Sequence, residues 1–268
     1  MGIKNSKEII RLMNKRILAA VFAVVCLLSL ASCAGQGNLD TAPTAVAVTP
    51  PAESEIISYF DHFNIDILSA EQTALENKLT VTLESKDASS EMSASIKLRS
   101  RSQNGTLTAI CETAGEAFDT NSSSLSYYDG TAAYYESDKS KIEMTPEEFK
   151  RSAYILPFIQ DNITEDNLEN LEGLELEGII TYYFTLKPEA VDFSALLGDA
   201  QFNITENASV SIEMSQGNPK TLTVSASGTY INAEGAEYSA VIAVSVQPLE
   251  FEDFSLPDNL NEYQTKNA

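Results

Sequence analysis

Apolar and polar residues alternate with a period of two along much of the chain. From Glu91 to Arg101, Met92, Ala94, Ile96 and Leu98 point one way, and Glu91, Ser93, Ser95, Lys97, Arg99 and Arg101 the other. The same alternation runs through Leu79, Val81 and Leu83, through Val210, Ile212 and Met214, and through Leu222, Val224 and Ala226. One-sided alternation predicts antiparallel sheet, because parallel strands covered on both faces read as continuous apolar runs. Two segments are apolar or aromatic on both faces, Ile179 to Leu186 and Ser239 to Leu249, which predicts that helices cover their second face.

Helical signals are fewer. Ile56, Ile57, Phe60, Phe63, Ile67 and Leu68 make a helical stripe within Ala52 to Lys78. Thr145-Pro146-Glu147-Glu148 predicts a helix start, with Thr145 as cap, Pro146 at the first helical position and Glu148 returning a bond to the cap. That helix is expected to run to about Pro157, and a short third helix is expected between Pro188 and Leu197. Asp129-Gly130, inside Leu125-Ser-Tyr-Tyr-Asp-Gly-Thr-Ala-Ala-Tyr-Tyr-Glu136, predicts a two-residue hairpin turn. In that register Tyr127 faces Ala132, Leu125 faces Tyr134, and Leu125, Tyr127 and Tyr134 share one face.

The N-terminus follows a different logic. Lys4, Lys7, Arg11, Lys15 and Arg16, with Glu8 as the lone acid, precede an uncharged run from Ile17 to Ser32 that is too short for a bilayer span. This order reads as a signal peptide over residues 1–32, with Met13 as an alternative start. The run ends in Leu30-Ala31-Ser32-Cys33, which resembles the lipobox of bacterial lipoproteins. The resemblance implies cleavage before Cys33, acylation of its thiol, and anchoring on the extracytoplasmic face of the cell membrane. Two or more acyl chains anchor stably where one does not. Residues 33–52 read as a tether of Ala, Thr, Gly and Pro with a reach on the order of 60 Å, and residues 53–268 as one domain.

Composition narrows the function. The chain has 39 acidic and 17 basic residues, one histidine and a formal charge of −22 over 268 residues. Such a surface repels phosphate backbones, which excludes nucleic acid as a partner. Of three cysteines, Cys26 leaves with the signal and Cys33 is acylated, so Cys111 alone remains, in a strand-like segment where it reads as a small buried side chain. No catalytic motif is present, no cofactor is implied, and His62 stands without a serine or cysteine motif beside it. Asp161 to Glu172 loosely follows a calcium loop but has Asp166 where the glycine belongs and Ile163 at the third position, so no metal site is assigned. Lys97, Arg99 and Arg101 are expected to form a solvated row on the convex side.

The order of these parts resembles lipoproteins of Gram-positive bacteria with the LolA and LppX type of fold. The resemblance rests on the lipobox and tether, antiparallel strands, the Tyr127-Tyr128-Asp129-Gly130 hairpin, the Thr145-Pro146-Glu147-Glu148 helix, more strands and the closing Phe254-Ser255-Leu256-Pro257. It implies an α+β fold in which a curved antiparallel half-barrel is covered by helices around an apolar cavity, and a non-enzymatic role. The expected lining is Met92, Ile96, Leu98, Leu125, Tyr127, Tyr134, Tyr182, Phe184, Ile242 and Val244. Two readings stay open. In one the concave side takes a lipid or other apolar ligand; in the other the core is fully packed and the domain meets a protein or envelope polymer.

Overall fold

The computed structural model describes residues 44–64, 72–84, 89–117, 120–138, 140–153, 156–197 and 200–265. The segment read as a signal peptide with Cys26, the residues read as a lipobox, Leu30, Ala31 and Ser32, the expected acylation site Cys33, and Ile67 and Leu68 of the helical stripe lie outside the described residues.

Fourteen strands form one sheet. In chain order they are β1 (Val46–Val48), β2 (Gln72–Glu84), β3 (Ser89–Gln103), β4 (Thr106–Ala117), β5 (Thr120–Tyr128), β6 (Ala133–Ser137), β7 (Ser140–Met144), β8 (Leu168–Leu176), β9 (Ile179–Leu186), β10 (Gln201–Ile204), β11 (Ala208–Ser215), β12 (Asn218–Ile231), β13 (Glu237–Pro248) and β14 (Gln264–Thr265). The spatial order is β1-β8-β9-β11-β12-β13-β2-β3-β4-β5-β6-β7-β14, with β10 lying end to end with β11 along β12. Every pairing is antiparallel except the short β14 on β7. The two ends of this path do not pair with one another, so the sheet is a curved half-barrel, open along one side.

Helices cover one face. Helix α1 (Glu53–Phe60) buries Ile56 and Phe60, and α2 (Pro146–Ala153) buries Phe149 and Ala153. The register places the buried residues of both clusters on this inner face: Ala226 opposite Ile242, Ile242 opposite Val81, Val81 opposite Met92, and Leu98 opposite Cys111. Under α1 the core is dense, with Phe60 at 5.0 Å from Phe158 and 6.0 Å from Phe184 in edge-on contacts. Under α2 a smaller cluster joins Phe149 to Leu98, Ala109, Cys111 and Ala133. Burial pushes the Cys111 thiol up to about 12, which keeps it protonated and inert.

The capping box forms as the local sequence requires. Glu148 N donates to Thr145 Oγ1 at 3.1 Å and Thr145 N donates to Glu148 Oε2 at 2.8 Å. The helix is described over Pro146–Ala153, and Leu156 and the expected end Pro157 are no longer helical. The stripe after Ala52 yields a helix of only eight residues, and from Gln72 the chain is strand, because β2 completes the sheet between β13 and β3. Between Pro188 and Leu197 stand a single 3-10 turn, Pro188–Ala190, and one helical turn, α3 (Ser194–Leu197).

The Tyr-Tyr-Asp-Gly hairpin differs in register. Tyr127 pairs with Tyr134 and Leu125 with Glu136, two residues beyond the expected partners. The reason is local: the Asp129 carboxylate accepts from Thr131 N and Ala132 N, both at 2.9 Å, and Asp129 N donates to Ala132 O, which closes a four-residue loop. Gly130 is fixed there by its φ of +99° and by crowding, since a Cβ would come within 2.5 Å of Thr106 Cγ2. Turns with two positive φ values fall instead at Asn104-Gly105, Glu177-Gly178 and Gln216-Gly217.

Two long-range features depart from the sequence reading. Part of the segment read as tether, Val46–Val48, adds a strand to the edge of β8. The segment expected to serve as a tether is thereby shortened by the residues from Val46 onward. At the other end, the chain from Leu249 leaves β13 and crosses the outer face as a strap before β14 joins β7. The strap brings Glu252 to 3.4 Å from Arg99, pairs Asp253 with Arg101, and lays Phe254 over Arg101 at 5.0 Å. Arg99 and Arg101 are therefore covered and paired rather than a solvated row; Lys97 alone of the three stays exposed. On the outer side of β13 Val241, Ala243 and Ser245 are only half-buried, which differs from the expectation of cover on both faces.

Candidate functional site

The inner face holds a gap of about 250 Å³ beside the larger core cluster. Leu79 and Val81 of β2, Met92 and Ala94 of β3, Leu197 of α3 and Tyr230 of β12 supply its apolar wall. Gly115, Glu116 and Ser122, on β4 and β5, line its other side. The wall follows from the register: Val81 opposes Met92, Leu79 opposes Ala94, Ala94 opposes Gly115 and Gly115 opposes Ser122. Small residues in that row leave the space, since Ala94 and Gly115 carry one methyl between them.

The ten residues expected to line a cavity are divided by the structure. Met92 does line the gap. Ile96 and Leu98 pack under α2, and Tyr182, Phe184, Ile242 and Val244 belong to the packed core under α1. Leu125, Tyr127 and Tyr134 lie on the opposite, outer face. Pairing counted from inner Leu98 through Cys111 and Ser126 puts the even-numbered residues of β5 inside and its odd-numbered ones outside. Leu79, Val81 and Ala94 were visible as alternating apolar residues; Leu197 and Tyr230 come from distant elements that no local pattern connects to them.

A tyrosine pair stands beside the α1 core. Tyr59 and Tyr182 stack at 6.2 Å, and Tyr59 OH donates to Glu55 Oε1 at 2.7 Å. Burial first, then the Glu55 carboxylate, raises both phenols above their ordinary value, so they remain neutral donors at physiological pH. Among the described residues no three His, Cys, Asp or Glu side chains are grouped to hold a metal ion. Ser93 also lines the gap, and the gap's titratable groups are Glu116 and Tyr230.

No protein-family profile matches the sequence, and no curated protein is similar to it. Among solved structures the chain is similar to a LolA superfamily protein, NE2245, from Nitrosomonas europaea. The identity is 11%, the coverage is 79% of this chain and 97% of that one, and the TM-score is 0.25. A superposition that loose carries no weight, and the half-barrel rests on the strand order and the one-sided helices.

Proposed function

We propose that the chain is an extracytoplasmic lipoprotein, held on the outer face of a bacterial cell membrane through acylated Cys33, whose domain takes the apolar part of a lipid or other hydrophobic ligand into the inner-face gap. The observation that carries the reading is the gap itself, lined by six apolar side chains of three strands and one helical turn and about 250 Å³ in size. Packed interiors leave few voids larger than water. A gap of this size lies just below the ~300 Å³ at which ligand sites begin. The acidic balance gives an anionic membrane no electrostatic hold on the chain, so the lipid must supply it.

Filling the gap tests the ligand part. Ala94→Phe puts a ring into the space, and binding of an apolar fluorescent probe such as N-phenyl-1-naphthylamine is expected to fall at least tenfold. Unchanged binding by a folded Ala94→Phe protein places the probe elsewhere and shifts the weight to the packed interaction domain. Anchoring is tested by Cys33→Ser and cell fractionation: the variant is expected to incorporate no labelled acyl chain. Acyl labelling that persists in Cys33→Ser contradicts the lipobox reading.

A further inference from the structure

The inner face of the sheet changes character within one strand spacing. Ile242 and Val244 of β13 are fully buried, whereas Leu79, which opposes Val244, and Met92, which opposes Val81, are only half-buried. Leu197 and Tyr230, which complete the apolar wall of the gap, are half-buried as well. Four large side chains thus point inward and still carry apolar surface, and burying that surface favours whatever covers it.

The other side of the gap is polar and open. Ala94, Gly115 and Ser122 stand in one row across β3, β4 and β5, and the Ser122 hydroxyl lies 3.3 Å from where a Cβ on Gly115 would be. It therefore borders the space that the missing side chain leaves, on a residue that is itself exposed. No lysine, arginine or histidine lines the gap, and the one lining residue with a formal charge is Glu116. An anion drawn into this site has no partner, which is costly away from water. The volume sets the length: an apolar cavity of about 150 Å³ takes benzene, so about 250 Å³ holds about ten carbons. The lining runs from β2 to β5, three strand spacings or about 14 Å, so the space is long and narrow, with room for one alkyl chain.

We propose that the gap selects a single-chain amphiphile with an uncharged hydroxyl head, a fatty alcohol or monoacylglycerol with a chain of about ten carbons. The chain lies along Leu79 and Met92, and the head exchanges hydrogen bonds with Ser122, whose hydroxyl both donates and accepts. Free fatty acids are disfavoured by the absence of a cation, and two-chain lipids by the width of the space. The selection rests on the reading of the gap as a ligand site.

The test is a calorimetric titration of residues 44–268, which form one compact unit. The probes are hexanol, octanol, decanol and dodecanol, with decanoate and didecanoylglycerol as the charged and the two-chain comparisons. Affinity is expected to rise about fourfold per methylene up to decanol and to level off by dodecanol. Decanoate is expected to bind about tenfold more weakly than decanol, and didecanoylglycerol no more tightly than decanol. Ser122→Lys, at an exposed position, supplies a cation beside the head and is expected to bring decanoate to within about threefold of decanol. Decanoate equal to decanol in the wild type, affinity that keeps rising through dodecanol, tighter binding of didecanoylglycerol than of decanol, or an unchanged preference in Ser122→Lys overturns the proposal and leaves the gap a ligand site. Alkanols that bind wild type and Ala94→Phe alike, or neither, overturn the reading of the gap itself.

Discussion

Truncating Phe60 to alanine is expected to cost the domain about 3–5 kcal/mol, the largest loss of any single substitution considered. Phe60 is fully buried and sits edge-on to both Phe158 and Phe184, so it joins α1 to the segment before β8 and to β9 at one point. Helix α1 has only eight residues and no side-chain cap, so it depends on this docking for its stability. Equilibrium denaturation reads the loss directly, and a cost under about 1 kcal/mol contradicts the view that α1 is fastened through this ring. Phe60→Leu keeps apolar volume and is expected to recover a good part of the stability.

The second large effect is expected on the outer face. Ending the chain at Leu249 removes the strap, and the stability is expected to fall by about 3 kcal/mol. Most of this is burial of Tyr263, about 2 kcal/mol, with a further ~0.5–1 from Phe254 on Arg101. The carboxylates of Glu252 and Asp253 are about four-fifths exposed, so their ion pairs add little. The pH dependence has a defined sign. Hydrogen bonding from Tyr263, then from Lys141, holds Glu136 below its ordinary 4.5, so this contribution is present above that value and is lost as the pH falls through the lower folded one. The difference in stability between the full and shortened chains should therefore narrow as the pH falls below that ordinary value. A shortened chain as stable as the full one at neutral pH contradicts the strap's role.

Local chemistry was legible in the sequence and long-range closure was not. The Thr145 to Glu148 box lies within four residues, and its hydrogen bonds form as the residue types require. The alternation of Met92, Ala94, Ile96 and Leu98 gave the correct shared face, since a strand's period of two does not depend on its partners. The hairpin register failed because the Asp129 side chain widened the turn by two residues, a competition that the Asp-Gly pair alone does not reveal. Leu125, Tyr127 and Tyr134 were grouped correctly with one another but assigned to the wrong side. Which face points inward is decided by pairing with β4, where Leu125 opposes Glu112 and Tyr127 opposes Ile110. The strap over Arg99 and Arg101 joins residues about 150 positions apart, beyond the reach of any periodicity. The inner gap is assembled from β2, β3, β4, β5, α3 and β12, and only its β2 and β3 side was readable.

The central claim is that the inner gap holds an apolar ligand. Its most direct test is native mass spectrometry of residues 44–268, purified without detergent and followed by lipid extraction, with Ala94→Phe as the control. A reproducible adduct on the wild type, identified as a lipid and absent from Ala94→Phe, is the predicted result. A wild-type polypeptide that stays bare after incubation with a membrane lipid extract contradicts the claim.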